Sequence, residues 1–353
     1  MKIGLIGLPA SGKSTLLRLL TRGEAGGPGK ANVGVAPVPD ERVDTLERIY
    51  KPRRKIYAQL ECVELPDLQL QHGSGAQQLA EALKHVDAIV LVVRAFAAPH
   101  VPHVLGDVDA LRDAQKVYDE LLLMDWSLVE TRLGRLREMQ RKGVRHDAEI
   151  ALFERVQPEL EAGKPFRALE FSREEQALLR GYAFLTTKPL IVAVNVDEDQ
   201  LRRGYAGREE LHAWAGERGV PVVEVAALIE AEIAELPPEE QAAFMEDLGL
   251  KQSGVARLAR SAYEALDLIS FFTASEREVR AWTVVRGTPA KEAGGVIHSD
   301  IERGFIRAEV VHFDDFIRAG GSMAAVREQG LLRLEGKDYA VQDGDMIYFR
   351  FNV

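Results

Sequence analysis

Gly7-Leu8-Pro9-Ala10-Ser11-Gly12-Lys13-Ser14 follows the apolar run Lys2-Ile3-Gly4-Leu5-Ile6 and leads into Thr15-Leu16-Leu17-Arg18-Leu19-Leu20. The first run has strand character, the leucines recur at helical spacing, and a glycine-bounded loop joins them. The octet fits G-x-x-x-x-G-K-[ST] without mismatch, and strand, loop and helix are the setting in which that motif binds phosphate. Gly7 and Gly12 permit dihedrals and a close approach that a side chain would block, so backbone N–H groups converge on phosphate oxygens. The helix that follows adds unpaired amides and partial positive charge. Lys13 then spans the β- and γ-phosphates as the catalytic cation, and the Ser14 hydroxyl takes one position on Mg²⁺. This stretch predicts a nucleotide site on an α/β fold.

The chain has 353 residues, enough for two or three domains with cores of their own. With 45 Lys and Arg against 55 Asp and Glu, no global basic field draws it to nucleic acid, so any such contact needs a local patch. A single cysteine, Cys62, excludes an internal disulfide framework and a four-cysteine zinc site. Its apolar neighbours make it a small buried hydrophobe. The first residues enter a core strand without a signal-type apolar region, and no apolar run has membrane-spanning length. A cytoplasmic protein without membrane contact is expected.

Further apolar runs at residues 58–65, 86–96, 189–196 and 221–228 alternate with helical patterns. That alternation predicts a parallel sheet wrapped by helices, with ligands at the carboxyl ends of the strands. The glycine-rich loop at residues 22–36 contains no Ser or Thr to close over Mg²⁺ and the γ-phosphate. After the second run, Glu64-Leu65-Pro66-Asp67 stands where Asp-x-x-Gly serves metal and γ-phosphate. Glu64 can reach a Mg²⁺-bound water, whereas the charge on Asp67 would repel phosphate. Gly73 and Gly75 offer a partial substitute in the next loop. His103, beyond the third run, is a candidate to orient water or exchange a proton, or else a loop histidine satisfied by backbone or solvent.

Residues 107–165 read as two antiparallel helices broken at Gly143, with Leu122, Val129 and Leu136 one heptad apart. The tip carries Arg132, Arg135, Arg137, Arg141, Lys142 and Arg145 against Glu138. Such a run is either a solvated helix face or, at a protruding tip of an acidic protein, a contact for a polyanion. The shorter basic run at residues 51–55 reads equally well as a solvated turn. After the strand at 189–196 comes Asn195-Val196-Asp197-Glu198, where GTPases use Asn-Lys-x-Asp to read guanine. Val196 and Glu198 replace the Lys and the Asp, which favours relaxed or adenine preference. Ala227, after the last strand, would present its backbone near the base. Short alternating runs at 280–285, 305–311, 331–334 and 346–351 predict a small, mostly antiparallel sheet at the C-terminal end.

The strings GLPASGKSTL (7–16), NVGVAPVPD (32–40), VDAIVLVVR (86–94), KPLIVAVNVDE (188–198) and IEAEIAEL (229–236), with the segment from Phe271 to Asp345, resemble the YchF subfamily of Obg-like P-loop ATPases over nearly the whole chain. The resemblance implies a P-loop domain at residues 1–120 and 168–272, interrupted by a coiled-coil hairpin at 121–167 and closed by a β-grasp TGS domain at 273–353. It also implies a Mg²⁺-dependent protein that hydrolyses ATP in preference to GTP and associates with ribosomes or RNA through the basic arm and the TGS domain. Mapped residue by residue, Gly7, Ala10, Ser11, Gly12, Lys13, Ser14 and Thr15 would hold the phosphates, and Ser14 with Glu64 the metal. Asn195, the Val196 backbone, Glu198 and Ala227 would line the base. The departures are Ala10-Ser11 where the family has Asn-Val, the absent switch Thr, and Asp67 in place of a glycine, a pattern of a diverged paralogue. A slow ATPase is the reading expected; a non-hydrolysing nucleotide adaptor and, more remotely, a metabolic kinase are the alternatives.

Overall fold

The computed structural model describes residues 1–25, 32–68, 74–98, 100–250 and 252–352, and of residues 74–76 and 238 the backbone alone. Two compact units divide the chain, Met1–Gly34 with Glu61–Leu258 and Val35–Leu60 with Ala259–Val353. The boundaries expected at residues 120, 167 and 272 differ from this division. The helical hairpin is part of the first unit, and residues 35–60 join the C-terminal one. Part of the glycine-rich loop, residues 26–31, lies outside the described residues, as does Gly73; Gly75 falls in the helix Ser74–Leu83 rather than in a loop.

In chain order the early strands are β1 (Lys2–Ile6), β2 (Val33–Val38), β3 (Arg54–Ile56), β4 (Ala58–Glu64), β5 (Ala88–Arg94), β6 (Leu190–Asn195) and β7 (Val222–Val225). In the first unit they run β4-β1-β5-β6-β7 with every neighbouring pair parallel. All residues of β5 and β6 are buried, as continuous apolar strands covered on both faces must be. Cys62 is fully buried in β4.

The long helix Ala110–Arg141 is capped by Asp109, whose carboxylate accepts from the Arg112 amide at 3.0 Å. Gly143, at φ 88°, turns the chain into the returning helix Asp147–Glu161. Val129, Leu133 and Leu136 cluster with Ile150, Phe153 and Val156, while Ala114, Val117 and Leu121 extend the same core onto β5. The arm has no separate core because its first turns are already part of the sheet's cover. Asp125 pins its root from within, accepting from the Leu185 and Thr186 amides at 2.8 Å each and from Thr186 Oγ1 at 2.7 Å. Burial pushes its carboxyl up to about 6.

The second unit adds β8 (Leu268–Ala274), β9 (Glu278–Val285), β10 (Phe305–His312), β11 (Arg333–Glu335) and β12 (Asp345–Phe351), in the order β11-β10-β12-β8-β9-β3. β8 and β12 are parallel, and β9 and β10 run antiparallel to their inner neighbours, which is a β-grasp arrangement. Ile269, Phe271, Val310 and Ile347 pack with Ala290 and Ala293 of the helix that follows β9. The basic run at 51–55 corrects the turn reading. Arg54, Lys55 and Ile56 pair with β9 as the edge strand β3, and Lys55 meets Asp44 at 3.0 Å and Glu47 at 2.6 Å.

Candidate functional site

The loop after β1 is shaped by what surrounds it. A Cβ on Gly7 (φ 155°) would lie 2.3 Å from the Val92 carbonyl oxygen of β5, and one on Gly12 (φ 99°) 2.1 Å from Asn195 Nδ2. Any residue larger than glycine would therefore push the loop off the sheet. Ala10 holds φ 60°, a left-handed conformation that costs an alanine about 1–2 kcal/mol. Such strain is kept where the loop's shape serves a site. The helix Lys13–Leu20 has Gly12 as its N-cap, with neither a capping side chain nor an acid in its first turn. Its first amides, which include those of Ser14 and Thr15, are left to serve an anion.

Lys13 is 4% exposed, and its Nζ donates to the carbonyl oxygens of Leu8 at 3.0 Å and Gly7 at 3.3 Å. The same ammonium lies 2.5 Å from Asp67 Oδ1. Ser14 Oγ donates to Glu64 Oε1 at 2.7 Å. Asp67 thus has a partner that sequence reasoning missed. The signal was present, since an acid three residues after Glu64 faces the one buried lysine of the loop, but its register was not readable without the fold. Ser14 and Glu64 supply two hard oxygen donors side by side, which fits Mg²⁺, an ion held by one or two protein oxygens together with phosphate and water.

On the base side Asn195 is buried at the end of β6. Its Nδ2 donates to the Ser11 carbonyl at 3.1 Å, and its Oδ1 accepts from the Ala227 amide at 3.3 Å. One neutral amide thereby ties the phosphate loop to the turn after β7. The Val196 amide donates to the Val225 carbonyl at 3.0 Å, so its N–H is already engaged within the sheet. Glu198 opens the helix Glu198–Arg203 and pairs with Arg202 at 3.1 Å. Its neighbour Asp197 caps that helix, accepting from the Gln200 amide at 2.8 Å. Leu228, beside Ala227 in the same turn, is 72% exposed.

His103 is buried against Asp113. Its Nε2 is 2.8 Å from Asp113 Oδ2, and its Nδ1 accepts from the Leu105 amide at 3.2 Å, so both ring nitrogens are engaged. Burial pushes the Asp113 carboxyl up, opposed by Arg112 and His103. The pair joins the arm's base to the loop after β5, and its place in a water-orienting role is withdrawn.

A family model described as 50S ribosome-binding GTPase matches residues 2–123, and one described as YchF-GTPase_C, a protein of unknown function, matches residues 268–352. Proteins named ribosome-binding ATPase YchF are similar along their length: the Bacillus subtilis protein is 38% identical, covering 99% of each chain. That from Haemophilus ducreyi is 41% identical over 100% of this chain and 99% of its own. The chain belongs to the YchF family. A solved structure described as the Schizosaccharomyces pombe YchF GTPase superimposes with a TM-score of 0.87 at 32% identity, covering 99% of this chain and 97% of that one. The P-loop fold with its long helical arm and C-terminal domain is therefore the fold of a YchF protein.

Within this YchF chain the arm tip is less basic than its sequence. Arg132 pairs with Glu149 at 3.1 Å, Arg137 with Glu154 at 2.7 Å, and Lys142 with Glu138 at 2.8 Å. Arg135, Arg141 and Arg145 are exposed and enter no ion pair among the described residues. No helix among the described residues is long and apolar enough to cross a membrane.

Proposed function

We propose that this YchF chain is a slow, Mg²⁺-dependent ATPase whose bound nucleotide controls its association with the ribosome, in the cytoplasm. The observation that carries the reading is the buried Lys13 ammonium set beside the Ser14 hydroxyl and Glu64 at a strained, uncapped helix start. Amides from Ala10 to Thr15 would cradle the phosphates and Lys13 would neutralise charge on the transferred group, so catalysis rests on positioning and electrostatics. Bound Mg²⁺, held by Ser14 and Glu64, would supply further charge neutralisation. Asn195 keeps loop and base turn in register. Adenine preference is supported by Val196 and Glu198 standing where guanine readers carry Lys and Asp. Arg135, Arg141 and Arg145 would meet ribosomal RNA, with the β-grasp TGS domain as a second contact.

Calorimetric titration of ATP, ADP and GTP with Mg²⁺, followed by single-turnover phosphate release, tests this. Adenine-selective binding with release of phosphate is the expected result. Tight binding without release would replace the ATPase with a nucleotide-dependent adaptor.

A further inference from the structure

Lys13 Nζ has two kinds of partner. The Gly7 and Leu8 carbonyls belong to the loop itself and hold the ammonium in place. Asp67 Oδ1 belongs to a different segment, the one leaving β4, and approaches at 2.5 Å. That segment is itself anchored, since Leu65 N–H donates to the Leu5 carbonyl at 3.0 Å and Leu68 N–H to the Gly7 carbonyl at 3.3 Å. Asp67 is therefore placed on Lys13 by backbone hydrogen bonds on both sides of it. The Asp67 side chain is 46% exposed while that of Lys13 is 4% exposed, so the carboxylate sits on the solvent side of a buried cation.

A phosphate-binding loop of this type wraps the inner phosphates in its own amides, and its lysine reaches outward to the last ones. An acid that touches the lysine from outside that wrapping stands where a terminal phosphate would come. A carboxylate oxygen and a phosphate oxygen are both anionic acceptors for the same ammonium and repel each other at this range. We propose that Asp67 is a specificity-determining residue that competes with the terminal phosphate of a nucleoside triphosphate for Lys13, so that the site favours the diphosphate until Asp67 is displaced. Glu64 differs in kind. Its partner is the Ser14 hydroxyl, which a magnesium-bound polyphosphate can share rather than evict. The two carboxylates thus divide the work, Glu64 assisting the charged ligand and Asp67 setting a threshold for its last group.

This inference rests on the reading of the loop as a nucleotide site, and the test separates the two. ADP and a non-hydrolysable ATP analogue, each with Mg²⁺, are titrated calorimetrically into wild type, Asp67→Asn, Asp67→Glu and Lys13→Ala, with thermal unfolding of each as a control for folding. Wild type is expected to bind ADP more tightly than the analogue. Asp67→Asn, which keeps the shape and removes the charge, should strengthen the analogue by about tenfold while moving ADP by less than about threefold, because specificity is a difference of two affinities. Asp67→Glu should retain the wild-type ratio. Equal gains for both nucleotides, or no gain for either, would overturn the competition and leave Asp67 as an ordinary counter-ion. Nucleotide affinities unchanged by Lys13→Ala would instead remove the nucleotide site on which the inference depends.

Discussion

The two ends of the candidate nucleotide site are held by opposite means. The base end rests on Asn195, a buried neutral amide whose two hydrogen bonds join the phosphate loop to the turn after β7. The phosphate end rests on charge, with Lys13 against Asp67 and Ser14 against Glu64, and Asp67 is half exposed. A buried neutral bond costs its full desolvation penalty when one partner is lost, so it serves as architecture. The half-exposed Asp67 carboxylate is screened by water on its open side, so its contact with the buried Lys13 can be remade when a ligand arrives. Binding is therefore expected to respond to changes at the charged end and folding to changes at the neutral end.

The sharpest way to break this contrast is Lys13→Ala. It should lower nucleotide affinity by about 100-fold, the scale of losing a charge-assisted contact to phosphate. The melting temperature should stay close to that of wild type, as differential scanning fluorimetry would reveal; a large drop would make Lys13 a structural cation. Asn195→Ala should do the reverse to the fold. It strips the Ser11 carbonyl and the Ala227 amide of their partner at about 1–3 kcal/mol, read as a loss in chemical denaturation.

The arm provides a second comparison, between paired and unpaired bases on one helix tip. Charge reversal at Arg135 and Arg141 should weaken ribosome co-sedimentation by about tenfold at low salt and progressively less as salt rises, with nucleotide affinity unchanged. The same reversal at Arg137, already neutralised by Glu154 at 2.7 Å, should have a smaller effect, and equal effects would show that local pairing does not matter.

The smallest expected effect is on pH dependence. Burial raises Asp125 from the usual 3.8 to about 6, so the folded chain binds this proton more tightly than the unfolded chain. Its contribution to stability is fully present below pH 3.8 and is lost as pH rises through 6. Between about pH 7 and about pH 5 this one group should add roughly 1 kcal/mol, measured as the difference in denaturation between wild type and Asp125→Asn over that interval. Parallel profiles would mean that the three donors around Asp125 offset its burial.

The parallel sheet was legible because strands buried on both faces read as continuous apolar runs, as β5 does up to Arg94 and β6 up to Asn195. β2 was missed because Gly34 and Pro37 interrupt the pattern that marks a strand. β3 was hidden because a three-residue edge strand of Arg54, Lys55 and Ile56 has the composition of a turn, and only pairing with β9 makes it a strand. His103 looked available because a sequence does not show Asp113 folding back onto it.

By itself, the sequence determined the P-loop, the buried parallel strands, the hairpin arm and the family. These follow from periodicities and from a motif whose glycines admit one backbone path. Tertiary structure alone decided which charges are spoken for. Whether Asp67 repels a phosphate from a distance or sits on Lys13, and whether Arg137 or Arg135 keeps its charge free, depends on residues far apart in the chain. Apart from pairs one helical turn apart, such as Glu138 with Lys142, ion pairs form between side chains that only the fold brings within a few ångströms.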